Sequence, residues 1–219
     1  MVRVRQMHEW AVSADEAVAV QQRLRHRVRV SDEHGPIRLA AGLDVAYRDP
    51  DIAIGVVTVL DMNSLTVVDR SVVRERTEFP YVSGLFAFRE IPPLTRALEA
   101  LRVEPDVLVC DGHGLAHPRR FGLAAHLGVL TDLPSIGVAK KSSGEYDEPG
   151  PARGDSSPVT VDREVVGRAL RTQPGVKPLF VSVGHRFTLD SACALVLRLA
   201  PRYRLPETTR TADHLGRIA

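Results

Sequence analysis

Two aspartates stand where an acidic side chain is expensive to keep. Alternation along the run from Leu39 puts Leu39, Ala41, Leu43, Val45 and Tyr47 on one face and Ala40, Gly42, Asp44 and Ala46 on the other. A carboxylate ringed by Ala and Gly leaves room for something bulky over the sheet, and it is costly to desolvate unless a cation or hydrogen-bond donors compensate. Asp111 ends the apolar run Val107 to Cys110 and is followed by Gly112, His113 and Gly114. That is the carboxyl end of a strand, where open α/β sheets place their ligands. If the two strands are neighbours, the carboxylates converge, and like charges that close require a cation or a shared proton. Glu90, between the apolar cluster Leu85, Phe86 and Phe88 and the pair Pro92-Pro93, is placed to overhang the sheet from a helix. Singly, each has an ordinary explanation: a salt-bridged or turn Asp44, a helix-capping Asp111, a surface Glu90. The chain has no His/Cys cluster at zinc spacing and no phosphate-loop glycine pattern, so hard oxygen donors point to magnesium, with manganese as a substitute.

The surrounding elements must bring these residues together. Ser13 followed by Glu16 is a capping-box pattern, and Ala17, Val20, Leu24 and Val28 recur at helical spacing, predicting a helix over 13–34 up to the Gly35-Pro36 break. Strand-like runs at 37–47, 52–61 and 65–74, with turns at Asp49-Pro50 and Asp61-Met62-Asn63, predict an antiparallel meander. Leu94, Ala97, Leu98 and Leu101 mark a helix that Pro92 and Pro93 open at its first turn. Strand 107–110, helical spacing at Phe121, Ala125 and Gly128, and strand 135–139 follow, an alternation that implies parallel pairing. Residues 142–158 are rich in Gly, Pro, Ser and acids and read as a surface loop or lid. Strand-like runs then resume at 159–161, 164–170 and 178–183, followed by a helix from Thr188 to Leu199 and a short one after Pro206. Three antiparallel strands, helix, strand, helix, strand is the order of a ribonuclease H-like mixed α/β sheet. One domain is expected: the N-terminal helix, a core over 37–199 and a helical tail over 206–216.

At 219 residues and 44% hydrophobic, the chain is long enough to bury a substantial core. Its net charge of +2 permits a polyanionic partner without demanding one. Basic residues cluster at Arg23, Arg25, Arg27 and Arg29, at Arg119-Arg120 and at Lys140-Lys141, although such runs are often only solvated faces. Cys110 and Cys193 lie far apart in apolar segments, like buried free thiols in a reducing cytosol. No signal peptide or membrane span is read, so a cytoplasmic monomer with no membrane partner is expected.

Four motifs in order make the chain resemble the endonuclease V family of deoxyinosine-directed nucleases. They are Ala41-Gly-Leu-Asp-Val-Ala-Tyr47, Phe79-Pro-Tyr-Val-Ser-Gly-Leu-Phe-Ala-Phe-Arg-Glu90, Asp111-Gly-His-Gly-Leu-Ala-His-Pro-Arg-Arg-Phe-Gly122 and Ile136-Gly-Val-Ala-Lys140. Weaker echoes are Phe180-Val-Ser-Val-Gly-His185 and Thr209-Arg-Thr-Ala-Asp213. The resemblance implies cleavage of DNA, or of RNA in some members, at the second phosphodiester bond 3′ to hypoxanthine, leaving a 3′-hydroxyl and a 5′-phosphate. It implies Asp44 and Asp111 as magnesium ligands, Glu90 as the third active-site carboxylate and Lys140 as the charge beside the scissile phosphate. Asp213 falls where relatives carry an Asp or His near the metal, with His214 next to it as the alternative. Tyr81 is the candidate strand wedge, on a loop that Pro80 stiffens, and Gly84, Leu85, Gly112, Gly114, His117 and Gly122 are the candidate base pocket. Ser83 departs from the Pro of many bacterial members, a change expected to loosen the wedge loop.

Reading one altered base in a strand requires extruding it, at a cost of about a few kcal/mol. Glycines let backbone amides approach the extruded base, satisfying hypoxanthine's carbonyl while leaving adenine's amino group without a partner. Two other readings stand against this one. An inosine-binding protein that no longer cuts has no use for converging carboxylates and a lysine. A sugar-kinase-like ATPase on the same sheet wants a Gly-rich turn after the first strand, where this chain has Val45, Ala46 and Tyr47.

Overall fold

The computed structural model describes residues 1–10, 13–49 and 51–219. All its strands join one nine-stranded sheet. Its first three strands are β1 (Leu39–Asp49), β2 (Ile52–Asp61) and β3 (Val67–Arg76), which pair antiparallel as the expected meander. Pro50, in the expected first turn, lies outside the described residues. Next come β4 (Val107–Cys110) and β5 (Ser135–Ala139), and β1, β4 and β5 run parallel. The sheet continues antiparallel through β9 (Leu179–His185), β8 (Glu164–Leu170), β7 (Ser156–Val161) and β6 (Glu145–Tyr146). The segment 142–158 is therefore part sheet edge rather than wholly a loop, because Glu145 and Tyr146 pair with Thr160 and Val159.

Alternation sorts the side chains into two layers. Ala41, Leu43, Val57, Val59, Leu108 and Cys110 face α2 (Ala87–Glu99) and α3 (Leu123–Thr131). Ala40, Val107, Val109, Ile136, Val138 and Val181 face α4 (Leu189–Leu199). A final helix, α5 (Glu207–Ile218), packs Ala212 against Ile54 and Val56.

Helix α1 (Ala14–Leu24) has the predicted capping box, with Ser13 Oγ and the Glu16 carboxylate each accepting a backbone amide of the other. It ends well short of Gly35. Its buried residues stop at Leu24, and after a 3₁₀ turn Arg29 bonds through its backbone to His185 and Arg186 in an extended path. Helix α2 corrects a second expectation, since it begins at Ala87 and carries Pro92 and Pro93 inside it. Burial of Phe88 and Ile91 starts the helix early, and Pro93 packs on the sheet at Gly55, where a Cβ would come within 2.6 Å of the Pro93 backbone. Glu90 consequently sits within the first turn of α2.

Candidate active site

Leu43 pairs with Cys110 across the parallel β1–β4 ladder, and the Asp111 amide donates to the Leu43 carbonyl at 3.3 Å. Asp44, within β1, and Asp111, just past the end of β4, therefore stand side by side. Lys140, just beyond β5, donates from Nζ to Asp111 Oδ2 at 2.6 Å. The bulky neighbour that Gly42 and Ala46 make room for is α5: a Cβ at Gly42 would stand 2.1 Å from the Thr208 carbonyl oxygen. This close approach carries Asp213 into range of Asp44 and Lys140 and sets Gly216 against Asp44. Asp213 is paired with Arg217 at 2.9 Å. His214 is exposed and lines a groove with Thr58, Val67 and Arg70 instead.

The charges gathered here act on Asp44, Glu90 and Lys140. Desolvation and then the charge of Asp111 push the Asp44 carboxyl up to about 6, with Asp213 adding to the rise and Lys140 opposing it. Desolvation, followed by the charges of Asp44 and Asp111, pushes Glu90 up to about 8. Lys140 is held above its ordinary value by its bond to Asp111 and by the surrounding acids, against desolvation. Among the described residues, no group of three or more His, Cys, Asp or Glu is gathered tightly enough to cage a metal by itself. A set of converging oxygen donors that is not a cage suits magnesium, which takes one or two carboxylates and leaves its other positions to water and phosphate.

A cation held at these oxygens would compete with protons for them. Asp44 and Glu90 hold protons more tightly folded than unfolded, where their values are 3.8 and 4.5, so the ion-free protein loses stability as pH rises through about 6 and about 8. Magnesium should therefore raise Tm more near pH ~8 than near pH ~5, a difference that melts with magnesium or with chelator will measure. An equal rise at both pH values would count against these two groups as ligands.

The loop at 80–86 is clamped to the loop at 112–122. The Gly84 carbonyl accepts from His117 Nε2 at 2.9 Å, from Arg119 Nη2 at 2.8 Å and from Gln21 Nε2 at 3.3 Å. Gly84 has φ of +76°, which suits glycine. His117 accepts the Arg119 amide on Nδ1, and desolvation lowers its pKa to about 4, so it is a neutral imidazole. Gln21, fully buried on α1, also donates to the Phe121 carbonyl at 3.1 Å. Nothing in its sequence context marked it, because a single Gln in a helix carries no signal.

The glycines differ from the expected presentation of free amides. Those of Gly112, Gly114 and Gly122 donate to the Cys110 carbonyl, Ser182 Oγ and the Gly114 carbonyl, and that of Leu85 donates to Val82. The approach that Gly114 and Gly122 allow is to the chain itself, at the Val183 and His113 carbonyls, whereas at Gly112 a Cβ would meet only the Leu123 side chain at ordinary contact distance. Leu85 is 2% exposed and its side chain is in the core with Phe79 and Phe88. Tyr81 is 79% exposed, and Ser83 beside it is exposed too. Arg119 and Arg120 are committed internally, the latter to Glu164 at 3.1 Å. Cys110 and Cys193 are free and buried, and no described helix is long and apolar enough to cross a membrane.

A mixed sheet with one aspartate in the middle of a strand and a second just past the end of the parallel strand beside it, a glutamate overhanging from a helix and a lysine beside them defines a ribonuclease H-like nuclease. The chain belongs to the endonuclease V family, whose model, Endonuclease V, matches residues 22–214. An endonuclease V of Roseiflexus sp. (strain RS-1) is 53% identical over 213 residues, 95% of this chain and 96% of the relative. The crystal structure of the Streptomyces avermitilis endonuclease V superposes with a TM-score of 0.92 at 51% identity, covering 100% of this chain and 96% of that one. Ciona intestinalis endonuclease V, solved with a 24mer DNA containing an inosine followed by a ribo-adenosine, matches at a TM-score of 0.81 and 29% identity over 93% of this chain and 96% of that one. The protein is accordingly an enzyme that hydrolyses phosphodiester bonds in nucleic acid.

Proposed function

We propose that this nuclease acts in the repair of DNA containing deoxyinosine, and on inosine-containing RNA where it meets it. It cuts the second phosphodiester bond 3′ to the hypoxanthine. Asp44, Asp111 and Glu90 would hold magnesium, or manganese in its place. The observation that carries this reading is the β1–β4 register, which sets Asp44 beside Asp111 with the Lys140 ammonium 2.6 Å from the latter. Binding by the Ciona relative of an inosine-containing DNA supports the substrate.

When bound, the cation supplies a Lewis-acidic centre that offsets charge growing on the phosphate. Water attacks phosphorus and loses a proton to solvent, the bond from phosphorus to the 3′ oxygen breaks with that oxygen taking up a proton, and the water oxygen stays on the 5′-phosphate. Lys140 stabilises charge at the scissile phosphate and carries a proton for the departing 3′ oxygen, while Asp111 fixes its position. Asp213, brought in by α5, adds negative charge that keeps Lys140 protonated. Tyr81 fills the gap left by the extruded base. Gly84, Leu85, Gly112, Gly114, His117 and Gly122 shape the pocket, with open room at Gly112. Incubating hypoxanthine- and adenine-containing strands with and without magnesium tests the reading; cutting without a divalent ion, or equal cutting of both strands, would overturn it.

Arg119 and Arg120 are tied internally and Arg29 is paired with Asp132 at 2.6 Å and Glu33 at 2.9 Å, so few cations remain for phosphates near the site. Lys140 remains, with the exposed Lys141 and Lys177 that line one recess with it. Affinity should fall as salt rises, and Lys141→Ala should reduce the slope of log K against log salt by about one. A salt titration of parent and variant reads this directly, and an unchanged slope would exclude Lys141 from the phosphate contacts.

A further inference from the structure

All 4 tyrosines, Tyr47, Tyr81, Tyr146 and Tyr203, are exposed, whereas Phe79, Phe88, Phe121, Phe180 and Phe187 are buried. The tyrosines thus serve the surface and not the core. Two of them, Tyr47 and Tyr81, line one open recess of about 540 Å³ together with Pro80, Asp51 and Arg89. Arg89 organises it. Its guanidinium carbon lies over the Tyr47 ring, 5.3 Å from the centroid, and its Nη1 donates to the Phe79 carbonyl at 2.7 Å. One side chain thereby ties the Tyr47 ring to the loop that carries Tyr81. Immediately beyond Tyr47 the β1–β2 register shifts, a bulge of the kind that re-aims a strand end beside an active site.

The recess also adjoins the carboxylates. Arg89 precedes Glu90 on α2, and Tyr47, on the face of β1 that α2 covers, feels the Glu90 charge. Burial and then the Glu90 charge raise the Tyr47 hydroxyl above its ordinary pKa, with Tyr81 contributing as well. The recess therefore lies between the exposed wedge tyrosine and the acids. Two aromatic faces and a guanidinium make a stacking site for a nucleobase of any identity, since every base presents a π face.

Cutting at the second bond from hypoxanthine leaves one nucleotide between the extruded base and the scissile phosphate, and that nucleotide's base comes next to the gap that Tyr81 fills. We propose that the recess holds this intervening base, stacked on Tyr47, so that the phosphate beyond it is delivered to Asp44 and Asp111. The inference rests on the deoxyinosine reading above and assigns to Tyr47 the spacing between recognition and cut.

Single-stranded oligonucleotides test it without an opposite strand. The hypoxanthine is followed by an ordinary nucleotide or by a tetrahydrofuran abasic unit, and affinity and single-turnover cleavage are measured for the parent, Tyr47→Ala and Tyr47→Phe. The abasic unit should cost the parent about tenfold in affinity, the worth of one stacked base. Tyr47→Ala should lose a similar factor on the intact strand and little more on the abasic one, while Tyr47→Phe behaves as the parent. Indifference of the parent to the abasic unit, or losses that multiply independently, would overturn the assignment. So would a non-additive loss with the abasic unit moved to the 5′ side of the hypoxanthine. A parent that binds adenine strands as well as hypoxanthine strands would strike the underlying reading first, and this proposal with it.

Discussion

Replacing Asp44 or Asp111 by Ala should lower the single-turnover cleavage rate by about a thousandfold or more, equivalent to roughly 4 kcal/mol of transition-state stabilisation. Each substitution removes one of two oxygen donors that the β1–β4 register sets side by side, and neither removes a side chain of the proposed base pocket. Affinity for a hypoxanthine strand should therefore survive. Stability has the opposite sign to activity. Asp44 is pushed up by desolvation and by the charge of Asp111, so Asp44→Asn removes a repulsion and the ion-free variant should melt at or above the parent near neutral pH. Asp111 differs, because its loss leaves Lys140 without its partner, and Lys140, 47% exposed, can turn to solvent at little cost. Rapid-quench cleavage, binding and thermal melts of the folded variants settle the matter; ordinary cleavage at ordinary magnesium by either alanine variant would sink the ligand assignment.

Tyr81→Ala should weaken binding to hypoxanthine-containing strands by roughly ten- to a hundredfold, since stacking on an aromatic ring contributes ~1 to 3 kcal/mol per base. The chemical step at saturating enzyme should change much less. Tyr81 is 79% exposed, while Phe79 two positions earlier is buried against Phe88 with ring centroids 5.5 Å apart. The loop is therefore anchored through Phe79 and through the three donors on Gly84, and losing the tip ring should leave the melting temperature where it was. Pro80 keeps the tip stiff, so little of the stacking energy is spent on ordering it. If the variant melts and binds like the parent, the wedge is another residue.

Sequence by itself determined the kinds of elements and the chemistry they carry. Strand and helix periodicities are local, and they marked β2, β4 and β5 at their observed ends because apolar runs bounded by turn residues leave little choice. Asp44 among Ala and Gly, and Asp111 at the end of an all-apolar strand, were conspicuous because an acid in such places has to be compensated. Tertiary structure decided whatever depends on contacts between distant segments. Prolines usually open a helix, yet Ile91 buries against the sheet and Phe88 against α1 and α3, and these start α2 earlier, which moves Glu90 into its first turn. The open space above Gly42 was legible, but only the packing of α5 showed that the chain fills it with its own C-terminal helix, bringing Asp213 to the site and turning His214 away. Gln21 and Arg119 clamp Gly84, and Arg89 reaches over Tyr47, through contacts for which no local pattern exists. Periodicity reports which side of an element is buried; which groups meet across the fold is set by register and by the fit of buried surfaces.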